Sequence, residues 1–373
     1  MVNRSKKRRV DRSRDGDFMR EALRLAEKGG RAVSPNPMVG AVLVRNGRIF
    51  ARGYHRYFGG PHAEVECLSR YAGRLDDATL YVTLEPCSHY GKTPPCATLL
   101  SATPIPRIVV AMEDPNPLVS GSGIALLQRA GKTVEVGLMR EEAELLNHRF
   151  VRSVALGRPY IHLKVAQTLD GRIFIPGDRR RWITGERARR LVHEMRASHD
   201  AVLVGAGTVK IDDPRLNVRV ADGADPDVVI LDGKLTVRES ARVFGVMGGR
   251  RVIVCTTVES ATKHRAKVDR LVRAGVQVLA LPGKKGRVSL ERMLTGLVEM
   301  EIGSVLVEGG SEVIGQFVGE GIVDELSVFV APRLGMGGAV AFKENALSTL
   351  AKAASTVGVW RVGQDILIHA LFE

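Results

Sequence analysis

Between Ala201 and Glu308 five short apolar runs recur: AVLVG at 201–205, VVILD at 228–232, RVIVCT at 251–256, VQVLAL at 276–281 and SVLVE at 304–308. Each is five or six residues rich in Val, Leu or Ile, and helix-length polar segments separate them. A strand that is apolar at every position has to be buried on both faces, and a parallel sheet flanked by helices provides that. The second half of the chain is therefore predicted to be an α/β unit with a mainly parallel sheet. Its first strand, YIHLKVAQT, follows Leu156-Gly157-Arg158-Pro159, a stretch suited to a domain boundary.

The first half reads as another α/β unit. Asp17 is expected to cap a helix in which Phe18, Met19, Ala22, Leu23, Leu25 and Ala26 share a side, with Gly29 as its stop. VGAVLV at 39–44 reads as a buried strand, and Asn46-Gly47 turns it back through RIFARG as a hairpin. Helix HAEVECLSRYAG, strands TLYVTL, RIVVAM and TVEVG, helix GIALLQRAG and one last helix from Arg140 complete a sheet with helices on both faces. A length of 373 residues is too great for one ordinary core. The expected division is a basic tail over 1–14, a first domain over 15–156 and a second over 157–373.

Charge and cysteine usage narrow the function. The net charge is +14, but residues 1–14 hold seven Lys or Arg against one Asp, leaving +8 for the rest, so nucleic acid is not the expected partner. No apolar stretch reaches the roughly 18 residues of a membrane helix, and no apolar segment follows the basic N-terminus, so the expectation is a cytoplasmic protein. Four cysteines, Cys67, Cys87, Cys96 and Cys255, are too few for a disulfide framework and point to metal or catalysis.

Three pieces of the first half need one explanation: His62-Ala63-Glu64, Glu85-Pro86-Cys87 and Pro94-Pro95-Cys96. A lone histidine or cysteine says little. One imidazole and two thiolates together give zinc three ligands and leave its fourth position open for water, as catalytic sites do. Both thiols are expected at helix starts, where thiolates are favoured. Glu64, two residues from a ligand, is placed to take a proton from that water and deliver it to a leaving amine, which is hydrolytic deamination. The deaminase pattern H-x-E followed by P-C-x-x-C is met except that the second cysteine lies nine positions on, after SHYGKTPP.

The run TLEPCSHYGKTPPC, with SPNPMVGAV at 34–42, GGPHAE at 59–64 and DPNPLVSGSG at 114–123, closely resembles the deaminase half of the bifunctional riboflavin-biosynthesis deaminase/reductase family. The resemblance implies a cytidine-deaminase-like three-layer α/β/α domain, one zinc per chain on His62, Cys87 and Cys96, and Glu64 as general acid and base. It places Asn36, His55, Lys92, Asp114 and Asn116 in the substrate pocket. Lys92 and nearby backbone N–H groups are suited to a phosphate, and a mobile surface charge is the competing reading of Lys92.

The second half lacks G-x-G-x-x-G. Gly205-Ala206-Gly207-Thr208 and Glu308-Gly309-Gly310-Ser311 put glycines where helices should begin, and each is either a phosphate turn or a plain tight turn. LKVAQTLDGRI, RWITGERARRLVHEMRASHDAVLVGAGTVKIDDPRLNVR, LVEGGSEVIGQF and VGQDILIHALFE look like the reductase half of the same family. That likeness implies a dihydrofolate-reductase-like α/β domain binding NADPH through Ala166, Trp182, Thr208, Asp212 and the turn of Gly310, Ser311, Glu312, Val313, Ile314, Gly315 and Gln316. It assigns substrate contacts to Lys164, Arg180, Arg196, Leu216, Arg219 and Glu308. The chain departs from the family at Gly177-Asp178-Arg179-Arg180-Arg181, where Arg180 either replaces a serine ligand or is solvated.

The expected activity is therefore twofold. A hydrolase step deaminates 2,5-diamino-6-ribosylamino-4(3H)-pyrimidinone 5′-phosphate, and an NADPH-dependent oxidoreductase step reduces the ribose of the resulting uracil. Homo-oligomerisation through the second domain follows from resemblance. The rivals are a deaminase of free or nucleic-acid bases, a nucleic-acid-binding module with a structural zinc, and a homologue with one inactive site.

Overall fold

A computed structural model describes residues 14–71, 73–117, 119–177, 182–245, 248–342 and 353–372. The chain separates into two compact units, Met1–Gly157 and Arg158–Glu373.

The first unit runs α1 (Asp15–Ala26), β1 (Gly40–Arg45), β2 (Arg48–Tyr54), α2 (Ala63–Leu68), β3 (Thr79–Leu84), α3 (Cys96–Ser101), β4 (Arg107–Met112), α4 (Ser122–Arg129), β5 (Thr133–Val136), α5 (Arg140–Leu146) and α6 (His148–Leu156). The sheet order is β2-β1-β3-β4-β5, with β1 antiparallel to both neighbours and β3, β4 and β5 parallel. Alternation along the strands splits the core in two. Ala41, Leu43, Leu80, Val82, Ile108 and Val110 face α2, α3 and α4 through Ala63, Cys67, Leu100 and Leu127. Val42, Val44, Tyr81, Val109 and Ala111 face α1 and α5 through Phe18, Met19, Ala22 and Ala143. This is a three-layer α/β/α sandwich. α2 lies close on β2, since a Cβ at Gly53 would strike the backbone of Ala63 and Cys67, and that approach sets the depth of Glu64.

Four local expectations are corrected. Asp17 does not cap α1, which begins two residues earlier; Asp17 is exposed and pairs with Arg20. Asp15 is instead buried, its carboxylate held by Arg107 at 2.6 Å and by the Tyr81 hydroxyl at 2.5 Å. Gly29 does not end the helical path, because a 3-10 turn continues through Glu27–Val33. The last helix is two helices broken at Asn147, whose side-chain amide receives the Met38 N–H at 2.8 Å and donates to the Met38 carbonyl at 2.9 Å. Bonding to a neighbouring segment outweighs one continued helical turn here. Cys87 starts no helix of its own.

The second unit runs β6 (Tyr160–Thr168), α7 (Glu186–Ser198), β7 (Ala201–Gly205), α8 (Ala206–Asp212), β8 (Asp227–Leu231), β9 (Val252–Thr257), α9 (Val258–Lys263), α10 (Arg265–Arg273), β10 (Gln277–Leu281), β11 (Gly283–Lys284), β12 (Arg287–Val288), α11 (Leu290–Glu299), β13 (Ser304–Val307), α12 (Ser311–Gly319), β14 (Glu325–Ala331), β15 (Thr356–Val362) and β16 (Asp365–Leu371). Its large sheet has the order β10-β9-β8-β7-β13-β6-β14-β16-β15. All pairs from β10 to β14 are parallel, and β16 and β15 close that edge antiparallel. The five apolar runs correspond to β7, β8, β9, β10 and β13; β7, β8, β9 and β13 are buried as their composition requires, whereas β10 is an edge strand in which only Leu281 is fully buried, because it has a neighbour on one side only. Both glycine segments open helices, Gly205 standing directly before α8 and Gly310 directly before α12. Among the described residues no helix is long and apolar enough to cross a membrane.

Candidate active sites

In the first unit three chain segments deliver donors to one point. His62 directly precedes α2, Cys87 follows the end of β3, and Cys96 opens α3. The His62 Nδ1 lies 3.5 Å from the Cys87 sulfur and 3.4 Å from the Cys96 sulfur. Ligand atoms on tetrahedral zinc, with bonds of about 2.0–2.3 Å, stand about 3.3–3.8 Å apart, so this spacing fits the metal. The donor set, one imidazole and two thiols, is also the borderline-soft set that zinc takes. The α3 N-terminus does reach Cys87, because the Cys96 N–H donates to its sulfur at 3.3 Å.

The electrostatics follow from burial and from these bonds. The Cys96 thiol donates to Cys87, which lowers the Cys87 pKa well below that of an ordinary thiol, with His62 adding to the effect. Cys96, as donor, is pushed the other way. A bound divalent ion favours thiolate at both sulfurs. Glu64 is 3% exposed, and burial raises its carboxyl to about 7. A group near neutrality can both take and return a proton at working pH.

A cavity of about 270 Å³ opens over this cluster, lined by Asn36, His55, Glu64, Lys92, Asp114 and Asn116, so all five expected pocket residues meet there with the carboxylate. His55 is buried and held below its ordinary pKa by that burial. Its Nδ1–H donates to the Pro61 carbonyl at 3.0 Å, and its Nε2 accepts from the Asn36 amide at 3.3 Å. The Lys92 ammonium lies 3.7 Å from the centroid of Phe58. Asp114 accepts the Asn116 N–H at 2.9 Å, and burial raises its pKa.

Sequence reasoning passed over Phe58, Asn147 and Thr93. The Thr93 hydroxyl lies 3.2 Å from His62 Nε2, so the ring donates outward there and keeps Nδ1 for the cluster. The signal was present, since Thr93 follows Lys92 inside the insertion that separates the two cysteines.

The second unit gathers charge instead of soft donors. Glu308, at the end of β13, accepts from Arg196 Nε at 2.6 Å and Nη2 at 2.9 Å, and the Lys164 ammonium stands 3.5 Å away on β6. Burial alone would raise the Glu308 pKa, but Arg196 and Lys164 outweigh it and hold the carboxyl at about 2. Burial also lowers the Lys164 pKa. Two of the Arg196 nitrogens are engaged by Glu308, and Nη1 donates to the Asn217 carbonyl at 3.3 Å, so its fork is turned to protein, not outward. Arg219 reaches the Asn217 side chain at 2.7 Å.

Leu216 is buried at φ 56°, a left-handed position that a branched residue adopts only when held. Arg250, unforeseen from sequence, supplies the hold by donating to the carbonyls of Leu216 and Arg215 at 2.9 and 2.5 Å.

Of the expected cofactor residues, Thr208 lies in α8 and faces Gly310, the residue before α12. Asp212 ends α8, near enough to Lys164 to affect its charge. Val313 and Ile314 put their side chains in the core, and the Gln316 amide donates to the Val288 carbonyl, so those positions can meet a ligand only through backbone or neighbours. Ala166 packs under α7, and Trp182 is half exposed beneath the Arg189 guanidinium. Gly310, Ser311, Glu312 and Gly315 complete the α12 start. Arg180 lies outside the described residues.

Residues 12–112 match the family model of the cytidine and deoxycytidylate deaminase zinc-binding region, and residues 159–368 match that of the RibD C-terminal domain. The riboflavin biosynthesis protein RibD of Bacillus amyloliquefaciens is 44% identical over 325 residues, covering 87% of this chain and 86% of that protein. The structure of Acinetobacter baumannii RibD, form 1, aligns at a TM-score of 0.84 with 35% identity, over 96% of this chain and 99% of that one. A Thermotoga maritima diaminohydroxyphosphoribosylaminopyrimidine deaminase/5-amino-6-(5-phosphoribosylamino)uracil reductase aligns at 0.80 with 37% identity, over 96% and 98%. Likeness on this scale, reaching across both sites, means that the chain belongs to the RibD family of riboflavin-biosynthesis enzymes, with a deaminase unit followed by a reductase unit.

Proposed function

We propose that residues 15–156 deaminate 2,5-diamino-6-ribosylamino-4(3H)-pyrimidinone 5′-phosphate and that residues 157–373 reduce the ribose of the uracil product. The observation that carries this reading is the buried Glu64 beside a His62, Cys87 and Cys96 cluster at metal spacing. Zinc bound by those three side chains, one ion per chain, supplies a Lewis acid that makes water nucleophilic near neutral pH. Glu64 takes the proton of the attacking water and hands it to the departing amine, so water enters and ammonia leaves with no net proton change. Asn36 and neutral His55 orient the ring, Asp114 and Asn116 meet its polar edges, and Lys92 takes the phosphate.

In the second unit NADPH, held by Ala166, Trp182, Thr208, Asp212 and the 310–316 turn, supplies the hydride. Lys164 and Glu308 orient the opened ribosylamine at C1′, while Leu216 and Arg219 close the substrate side. Arg196 acts through Glu308, and Arg180 is assigned to the phosphate. We place self-association on the outer face of β15 and β16, where Val357, Val359, Ile366 and Ile368 are exposed on one side of the antiparallel pair and suit a second copy of the chain. The cytoplasm is the proposed location.

The test is incubation of purified protein with the diaminopyrimidinone phosphate, with and without NADPH, following ammonia and NADPH absorbance. Ammonia in both tubes and NADPH loss in one are expected; no ammonia in either overturns the reading.

A further inference from the structure

The turn after β3 holds a carboxylate with a distinctive set of partners. Glu85 is 3% exposed. Its Oε2 accepts the N–H of Asp114 at 3.1 Å and of Gly121 at 2.9 Å, and its Oε1 accepts the N–H of Gly123 at 2.8 Å and of Ile124 at 3.2 Å. All four donors are main-chain groups of one segment, 114–124. Those of Gly123 and Ile124 belong to the first turn of α4 and have no carbonyl within their helix to bond. The Glu85 N–H goes to the Met112 carbonyl at 3.0 Å, extending the β3–β4 ladder by one bond. The side chain is thus fixed at its root by the sheet and at its tip by the loop.

A carboxylate has about four acceptor directions, and here backbone takes four bonds, so Glu85 is not placed to carry protons or bind an ion. Its position explains it better. Cys87 lies two residues on, and the segment it grips brings Asp114 and Asn116 to the cavity. We propose that Glu85 is a positioning residue for deamination: it holds the 114–124 wall of the substrate pocket in register with the strand end that carries Cys87. The proposal rests on the reading that Asp114 and Asn116 contact substrate. Charge-assisted bonds suit this task because they are short and directional.

The experiment compares full-length, zinc-loaded Glu85→Gln, Asn116→Ala and the double variant by ammonia release, zinc content and amide hydrogen exchange. Glutamine keeps the size but turns one acceptor oxygen into an NH2 group facing two N–H donors. Glu85→Gln should raise KM by about tenfold while kcat stays within about threefold. Faster exchange should be confined to the amides of 114, 121, 123 and 124, with zinc content unchanged. Asn116→Ala should cost about tenfold in KM alone but less than about twofold once Glu85→Gln is present, because the loop is already released. Gly123→Ala, whose Cβ would run into the Pro86 carbonyl oxygen and crowd Glu85 Oε1, displaces the same segment while keeping the carboxylate and should reproduce the KM effect.

An unchanged KM in Glu85→Gln, or strict additivity in the double variant, overturns the proposal. So does loss of zinc or of protection throughout the first unit, which would make Glu85 a residue of the fold alone. If Asp114→Asn and Asn116→Ala leave KM unchanged while Glu85→Gln still loosens 114–124, the reading of the pocket has failed, and the proposal falls with it.

Discussion

In the deaminase unit, two thiols, an imidazole and a carboxylate meet in a donor set suited to a metal ion. In the reductase unit, a buried carboxylate is shared by an ammonium and a guanidinium, so each charge has an opposite partner within the protein. On the proposed reading the first arrangement is completed by a metal ion, whereas the ions of the second all come from the protein. This contrast tells which perturbation each can survive, because a cluster awaiting a cation depends on supply, whereas a closed ion triad depends on every member remaining.

The widest separation should come from chelation. Stripping the metal is expected to abolish ammonia release and leave NADPH oxidation on the uracil intermediate unchanged; a parallel loss of both activities would erase the contrast. Glu64→Gln should lower kcat for deamination by about 10²–10⁴-fold with full zinc content, measured by ammonia release and elemental analysis. Retention of the native rate would remove Glu64 from the proton path.

The reductase side is tested by Glu308→Gln, which leaves Lys164 and Arg196 buried without their shared counter-charge. Breaking such a pair costs about 3–5 kcal/mol, so denaturant unfolding of the second unit should shift by that amount while the first unit keeps its transition. A smaller effect is expected at Thr93→Val, where losing the partner of His62 Nε2 should weaken zinc affinity by about 10–100-fold in competition with a chelator, with the reductase unaffected. Unaltered affinity would show that the ring needs no such support.

The smallest effect is in pH. Glu308 is held at about 2 against an ordinary value of 4.5. Its contribution to stability is therefore present above about pH 4.5 and is lost as pH falls toward 2. Acid unfolding of Glu308→Gln should lack that component, and a variant with the same acid slope as the native chain would count against the triad.

Legibility differed between the two sites for physical reasons. His62, Glu64, Cys87 and Cys96 lie within one short stretch, and their residue types admit few uses in combination, so pattern reading could bring them together. The five apolar runs likewise declared a parallel sheet. The reductase groups come from β6, α7 and β13, elements far apart in sequence, and Lys164, Arg196 or Glu308 alone looks like any surface charge; only family resemblance joined them. Glu85 was singled out with Cys87 but given no role of its own, and Asn147 escaped notice, because each works by binding backbone, and backbone carries no residue code. The helix break at Asn147 and the buried Asp15 have the same origin, since a side chain's distant partner outweighed the local capping pattern.

The strand order of the larger sheet has a temporal consequence. β6, the first strand of its unit, is flanked by β13 and β14, which come after residue 300, whereas β1 finds its partner across a two-residue turn and its other neighbour soon after. Long-range pairing is slow and must await synthesis of the distant partner. On a growing polypeptide the deaminase pocket would thus be assembled while the larger sheet still lacked its middle. Pulse-labelled nascent chains should show amides of 40–54 protected well before those of 160–168, making the order of biosynthetic maturation the same as the order of the two chemical steps.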